Sequence, residues 1–198
     1  MKISFKNTFV IFVIKSIALF LIIYYGLQIW IGLSIPGGSY STFVDNYLDF
    51  FHLLRLSLIK GAKCIAYFFG YSTTEEAGYL LKVPEGRGVR ISYGCAGIGI
   101  MSFWMAFVLS NSLKLPQKIF WLFSGLCIIW IINVLRIGLY LVALNKKWTM
   151  PFGIDQHTWF NIVAYGIILM MMYFLDKKTS PGSSKGAESL HLNINNKQ

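Results

Sequence analysis

The chain has 198 residues, 56% of them hydrophobic and only 13% charged, which argues against a soluble domain and for a polytopic membrane protein. Its formal charge of +10 is scattered between apolar runs, with no basic stripe interleaved with aromatics. That pattern excludes nucleic acid as an expected partner and points to topology signals and to membrane lipids with anionic headgroups.

A bilayer core of about 30 Å takes roughly 20 residues of apolar helix. The first stretch of that kind is Phe9–Leu33, too long for a signal-peptide core and with no small-residue cleavage site behind it, so it is expected to be a retained span. Lys15 near its start can snorkel to the interface. Tyr47–Gly70 follows as an amphipathic segment: Asp49, His52, Arg55, Lys60 and Lys63 share one side of the helical wheel, and Leu53, Leu54, Leu58, Ile65 and Phe69 fill much of the rest. It is expected either to lie at an interface or to be packed with its polar side towards a cleft, as a surface or re-entrant segment, or else to form a fifth membrane helix. Residues 83–88 then read as a turn, and Val89 to Tyr93 alternate as a strand does, which predicts a small extracytoplasmic hairpin.

Gly94–Leu113, Ile119–Leu144 and Thr158–Leu175 complete four strong predicted spans. The expected fold is therefore an all-α polytopic bundle of four transmembrane helices, with one amphipathic or fifth membrane helix and a small extended segment. Residues 1–175 form the membrane domain, and residues 176–198, which lack any apolar period, form a disordered cytoplasmic tail. Lys2, Lys6, Lys114, Lys118, Lys177 and Lys178 place both termini in the cytoplasm by the positive-inside rule, with Lys146 and Lys147 as an outside exception. Residues 34–93 and 145–157 then lie on the outer side of what is expected to be a bacterial inner membrane.

Arg136 is the only charged residue within Ile119–Leu144. An arginine at the centre of a membrane helix costs about 2.5–3.5 kcal/mol on insertion scales, so it needs a partner and a polar cleft. Asn133, Arg136 and Tyr140 share one helix face. Cys95 stands at the predicted outer start of its helix, where unpaired N–H groups favour a thiolate, and Gly94, Gly97 and Gly99 leave room for a close approach. His157 opens the last span with Asn161 one turn on, suited to moving protons in a wet cleft. Each taken alone could be structural: a packed cysteine, an arginine bonded to carbonyls, a capping histidine. Under the lysine topology all three fall on the same side at similar depth, and together they supply a nucleophile, a cationic stabiliser and an acid or base. The three cysteines, Cys64, Cys95 and Cys127, suggest neither a disulfide framework nor a zinc site.

At these residues the sequence resembles the exosortase/archaeosortase family of membrane transpeptidases. The resemblance rests on Cys95-Ala96-Gly97-Ile98, on Asn133-Val134-Leu135-Arg136 and on His157, and it extends over roughly Asp45 to Leu175. Ala96 stands where Ser or Asn is common in that family. The resemblance implies that Cys95 attacks a scissile carbonyl in the C-terminal sorting tail of an exported protein and forms a thioacyl intermediate. Arg136 would stabilise the thiolate and oxyanion. His157 would protonate the leaving amine and later deprotonate a lipid or glycan acceptor that completes the transfer, and no metal or organic cofactor would be needed. Arg87 and Arg90, near Cys95 in sequence, are expected to bind an acidic residue of the substrate, with Asn133 and Asn161 also in contact with it. Two other classes stay open on sequence grounds: a non-catalytic membrane docking protein and a small transporter.

Overall fold

The computed structural model describes residues 5–34, 43, 49–149, 153 and 155–179. Its helices are α1 (Phe5–Leu33), α2 (Phe50–Phe68), α3 (Ile98–Ser110), α4 (Leu115–Lys146) and α5 (Gln156–Thr179). A small antiparallel sheet, β1 (Thr74–Glu76), β2 (Leu80–Lys82) and β3 (Gly88–Arg90), lies between α2 and α3 in the chain, in the order β1-β2-β3. The helix α5 runs past residue 175, where the tail was expected to begin. Residues 180–198 lie outside the described residues, and so does most of the link between α1 and α2.

Among the described residues three helices, not four, are long and apolar enough to cross a membrane: Val10–Leu33 within α1, Leu115–Lys146, and Gln156–Leu175 within α5. The fourth expected span, Gly94–Leu113, is shortened at both ends. Tyr93–Ala96 forms a 3-10 turn, Gly97 takes the left-handed conformation at φ 78°, and Asn111 is extended. Only the 13 residues of α3 remain as regular helix, about 20 Å at 1.5 Å per residue. That is short of the hydrocarbon thickness.

The central rod is α4, whose 32 residues extend about 48 Å. The interval between contacts gives the direction of α2: Ser57 Oγ accepts from Trp130 Nε1 at 2.9 Å, Gly61 faces Val134, and Ile65 faces Gly138. Each step of four residues along α2 matches four along α4 in the same sense, so the two helices run parallel and stay in step. A Cβ added at Gly138 would stand 2.6 Å from the Ile65 Cβ, which shows how closely the backbones approach. Phe51, Leu58, Ile59, Ala62 and Ala66 are buried, while Lys60 and Lys63 remain exposed. The amphipathic segment is therefore a packed helix lying along α4, not one lying flat at an interface. Its apolar stripe finds a complementary groove in α4 that composition alone does not reveal.

Across α4 from the turn, α3 packs antiparallel, with Trp104 seated on Gly125 and donating to the Trp121 carbonyl at 3.2 Å. In turn α1 runs antiparallel to α3, shown by the Phe12–Phe107 and Phe20–Phe103 edge-to-face pairs. Thus α1, α2 and α4 all point the same way, and the sheet sits at the end where α4 finishes. There the Asn145 side chain holds the β2–β3 turn by accepting from the Arg87 N–H at 2.8 Å and donating to the Arg87 carbonyl at 3.2 Å. Leu81, Val89 and Ile91 turn inward and their neighbours outward, the alternation expected of a sheet with one covered face. The strand β1 had no sequence signal, because Thr74-Glu75-Glu76 is exposed throughout and alternates in nothing.

The chain divides into two compact units, residues 1–164 and 165–198. The first holds everything described above together with the opening turns of α5. The described part of the second is the remaining helix, through Thr179.

Candidate active site

Cys95 lies in the 3-10 turn ahead of α3, not in the first turn of that helix as expected. The N–H groups of Cys95 and Ala96 both donate to the Ser92 carbonyl, at 3.0 and 3.2 Å, so they are committed to the turn. Two side chains one helical turn apart on α4 grip this turn by successive carbonyls. Arg136 Nη2 donates to the Cys95 carbonyl at 2.6 Å, and Asn133 Nδ2 donates to the Ala96 carbonyl at 3.4 Å. Such carbonyls, left without partners inside a protein, would cost about 1–3 kcal/mol each. The sequence spacing Asn133-x-x-Arg136 is therefore a clamp matched to two consecutive peptide groups. Gly97 makes room for it, because the Asn133 amide occupies the space where a side chain would project.

On its other side Arg136 meets α5. Its Nη1 donates to Asn161 Oδ1 at 2.7 Å, and Asn161 Nδ2 lies 3.3 Å from His157 Nδ1. The His157 ring stands edge-on to Tyr140 with centroids 5.7 Å apart. Ser92 Oγ donates towards Cys95 Sγ at 3.5 Å. The result is a continuous polar path: Cys95 carbonyl, Arg136, Asn161, His157.

These groups surround an open cavity of about 230 Å³ lined by Gly88, Val89, Arg90, Cys95, Arg136, Ile137, Tyr140, His157 and Phe160. The three residues singled out for chemistry, Cys95, Arg136 and His157, thus share one wall system although they come from a turn, α4 and α5. Of the four expected substrate contacts, Arg90 alone lines the cavity, with its guanidinium 4.9 Å from the Tyr79 ring centre. Arg87 is exposed at the strand turn, where its backbone is held by Asn145. Asn133 is buried beneath the cysteine turn, 3% exposed, and is not a lining group. Asn161 bridges two lining residues. Alternation explains the split between the arginines: residue 90 belongs to a strand flanking the cavity, whereas residue 87 belongs to the turn beyond it.

Sequence reasoning missed Ser92, Phe160 and the Asn145 anchor. Ser92 carried a readable signal, three residues before a cysteine at the start of a tight turn. Asn145 carried none, because the turn that it anchors, through the Arg87 backbone, lies 58 positions away.

Asp155 caps α5 immediately before His157. Its Oδ2 accepts from the Thr158 N–H at 2.8 Å. Hydrogen bonding from the Thr158 side chain, then from its backbone, holds the Asp155 carboxyl below its ordinary value of 3.8, and the nearby His157 adds a smaller pull in the same direction. A carboxyl with a lowered folded-state value contributes fully above 3.8, and its contribution is lost as pH falls through the lower value. Protection of the Thr158 amide, taken relative to the unstructured exchange rate at the same pH, is therefore expected to fall on acidification below that point. An Asp155→Ala chain should lack that protection at every pH, and equal protection in the two chains at neutral pH would refute the cap.

A family model described as transmembrane exosortase matches residues 5–174, from the start of α1 to near the end of α5. The chain belongs to the transmembrane exosortase family. No curated protein and no solved structure matches it. Exosortases are membrane cysteine transpeptidases that act on sorting signals, and the matched span includes every residue lining the cavity. A membrane protein with three crossing-length helices fits that family.

Proposed function

We propose that this exosortase cleaves the C-terminal sorting tail of an exported protein through Cys95 and transfers the released acyl group to a lipid or glycan acceptor. The observation that carries the reading is the convergence of Cys95, Arg136 and His157 on one cavity. In the first half-reaction the Cys95 thiol gives its proton to His157, and Sγ attacks the scissile carbonyl carbon. Arg136, the buried-side cation of the cavity, stabilises the developing oxyanion. The C–N bond breaks as the leaving amine takes the proton from His157, and a thioester remains. In the second half the acceptor loses a proton to His157 and attacks the thioester, and the C–S bond breaks as Sγ takes that proton back from His157. Arg90 is the cation we assign to an acidic residue of the tail. The lysines at the α1 and α4 starts lie at the opposite end of the bundle from the cavity, which supports an outward-facing site in a bacterial inner membrane.

The test is the intact mass of a tail-bearing reporter, ending in a short motif, an apolar span and a basic cluster, recovered from cells with the wild-type chain or Cys95→Ala. Loss of the tail, with an added acceptor mass, is expected with the wild type only. Tail loss with both chains, at equal protein level, would refute Cys95 as nucleophile, and an intact tail with both would favour a docking role.

A further inference from the structure

We propose that Asn161 is a positioning residue that decides which nitrogen of His157 carries the proton, and that Arg136 controls the decision. This rests on the transpeptidase reading for its use, but the tautomer itself follows from hydrogen-bond bookkeeping. A guanidinium has donors and no acceptor. The amide oxygen of Asn161 must therefore face Arg136, as it does at 2.7 Å, and the amide NH2 must face away from it. What it faces is His157 Nδ1 at 3.3 Å. A donor aimed at Nδ1 requires a lone pair there, which places the ring proton on Nε2. The i, i+4 spacing of His157 and Asn161 along α5 and the edge contact with Tyr140 hold the ring in that pose.

In this resting tautomer Nε2 already bears a proton and cannot accept the one on Cys95 Sγ. The arrangement changes when Arg136 turns its Nη1 from Asn161 to the oxygen of a bound scissile carbonyl. Released from the guanidinium, the Asn161 amide is free to rotate, and the orientation that presents Oδ1 to Nδ1 becomes accessible. The ring takes a proton at Nδ1 and gives one up from Nε2, both exchanged with water in the open cavity, so its charge is unchanged. Nε2 then has a lone pair and receives the Sγ proton as the thiol attacks. Substrate engagement by Arg136 thus switches His157 from hydrogen-bond donor to base, and the idle enzyme does not activate its own nucleophile.

The experiment is 15N NMR of the full-length chain in lipid nanodiscs, labelled at histidine, with the His157 signals assigned by loss in His157→Gln. In the wild type at mildly alkaline pH the protonated-type signal is expected at Nε2 and the unprotonated-type signal at Nδ1. Asn161→Asp, close in shape but able only to accept, should invert that pattern, because its carboxylate takes hydrogen bonds from Arg136 and from Nδ1–H together. Arg136→Met, which frees the amide without altering it, should give a mixture. A wild-type ring protonated at Nδ1, or a pattern unchanged in Asn161→Asp, overturns the proposal, and the wild-type measurement stands even if a variant fails to fold. In reporter processing, Asn161→Ala should lower kcat about 10²-fold with KM unchanged, and an unchanged kcat counts against it. Failure of the transpeptidase reading would appear separately, as a reporter mass indifferent to Cys95.

Discussion

Arg136→Lys is expected to abolish reporter processing, a loss of about 10³-fold, although it preserves the positive charge. Arginine spends two of its N–H donors in different directions, Nη2 on the Cys95 carbonyl at 2.6 Å and Nη1 on Asn161 at 2.7 Å. The planar fork holds both at once, whereas an ammonium on a flexible stem is a single point charge and cannot reproduce the two vectors. Lysine would leave either the cysteine turn or the α5 amide without its partner, and the polar path from Cys95 to His157 would be cut. Protein level and membrane insertion should be unaffected, because the two residues cost similar amounts at mid-membrane on insertion scales. The decisive comparison is the processing rate of the reporter in cells with equal amounts of each chain. A lysine variant within tenfold of wild type would mean that charge alone matters and that the clamp geometry does not.

Gly97→Ala should both destabilise the protein and silence the site. At φ 78° the backbone is in the left-handed region, which costs a residue with a side chain about 1–2 kcal/mol. The added methyl would also collide with the Asn133 amide, which has to withdraw and give up its bond to the Ala96 carbonyl, a further loss of about 1 kcal/mol. Thermal unfolding in detergent should report a combined loss of about 2–3 kcal/mol, with processing lost because the Cys95 turn shifts away from α4. Gly94→Ala is the matched control. Nothing lies within 4 Å of a Cβ at that position and its φ is not left-handed, so its unfolding should match wild type. Equal destabilisation by the two substitutions would show that glycine in this turn serves general flexibility and not the seating of Asn133.

Much of this molecule was determined by the sequence alone. The apolar runs around α1, α4 and the start of α5 leave no reading but helices of membrane length, because hydrocarbon tolerates only self-satisfied backbone. A lone arginine in such a helix had to have partners, and its placement at the level of Cys95 and His157, which line one cavity with it, was legible from the spans. Tertiary structure decided the rest. It converted the expected fourth span into a turn and a short helix, because Gly97 turns left-handed and leaves room for the Asn133 amide that grips the Ala96 carbonyl, and Asn111 is extended. It laid α2 along α4 instead of flat at an interface, because Gly61 and Gly138 permit a close parallel approach that no helical wheel displays. It sorted Arg90 to the cavity and Arg87 to the strand turn, and it turned Asn133 from a substrate contact into a clamp. Helix period and hydrophobicity are local properties, written in neighbouring residues. Which carbonyl an amide reaches, and which way a guanidinium spends its donors, depends on segments up to 58 positions apart, and only packing brings them together.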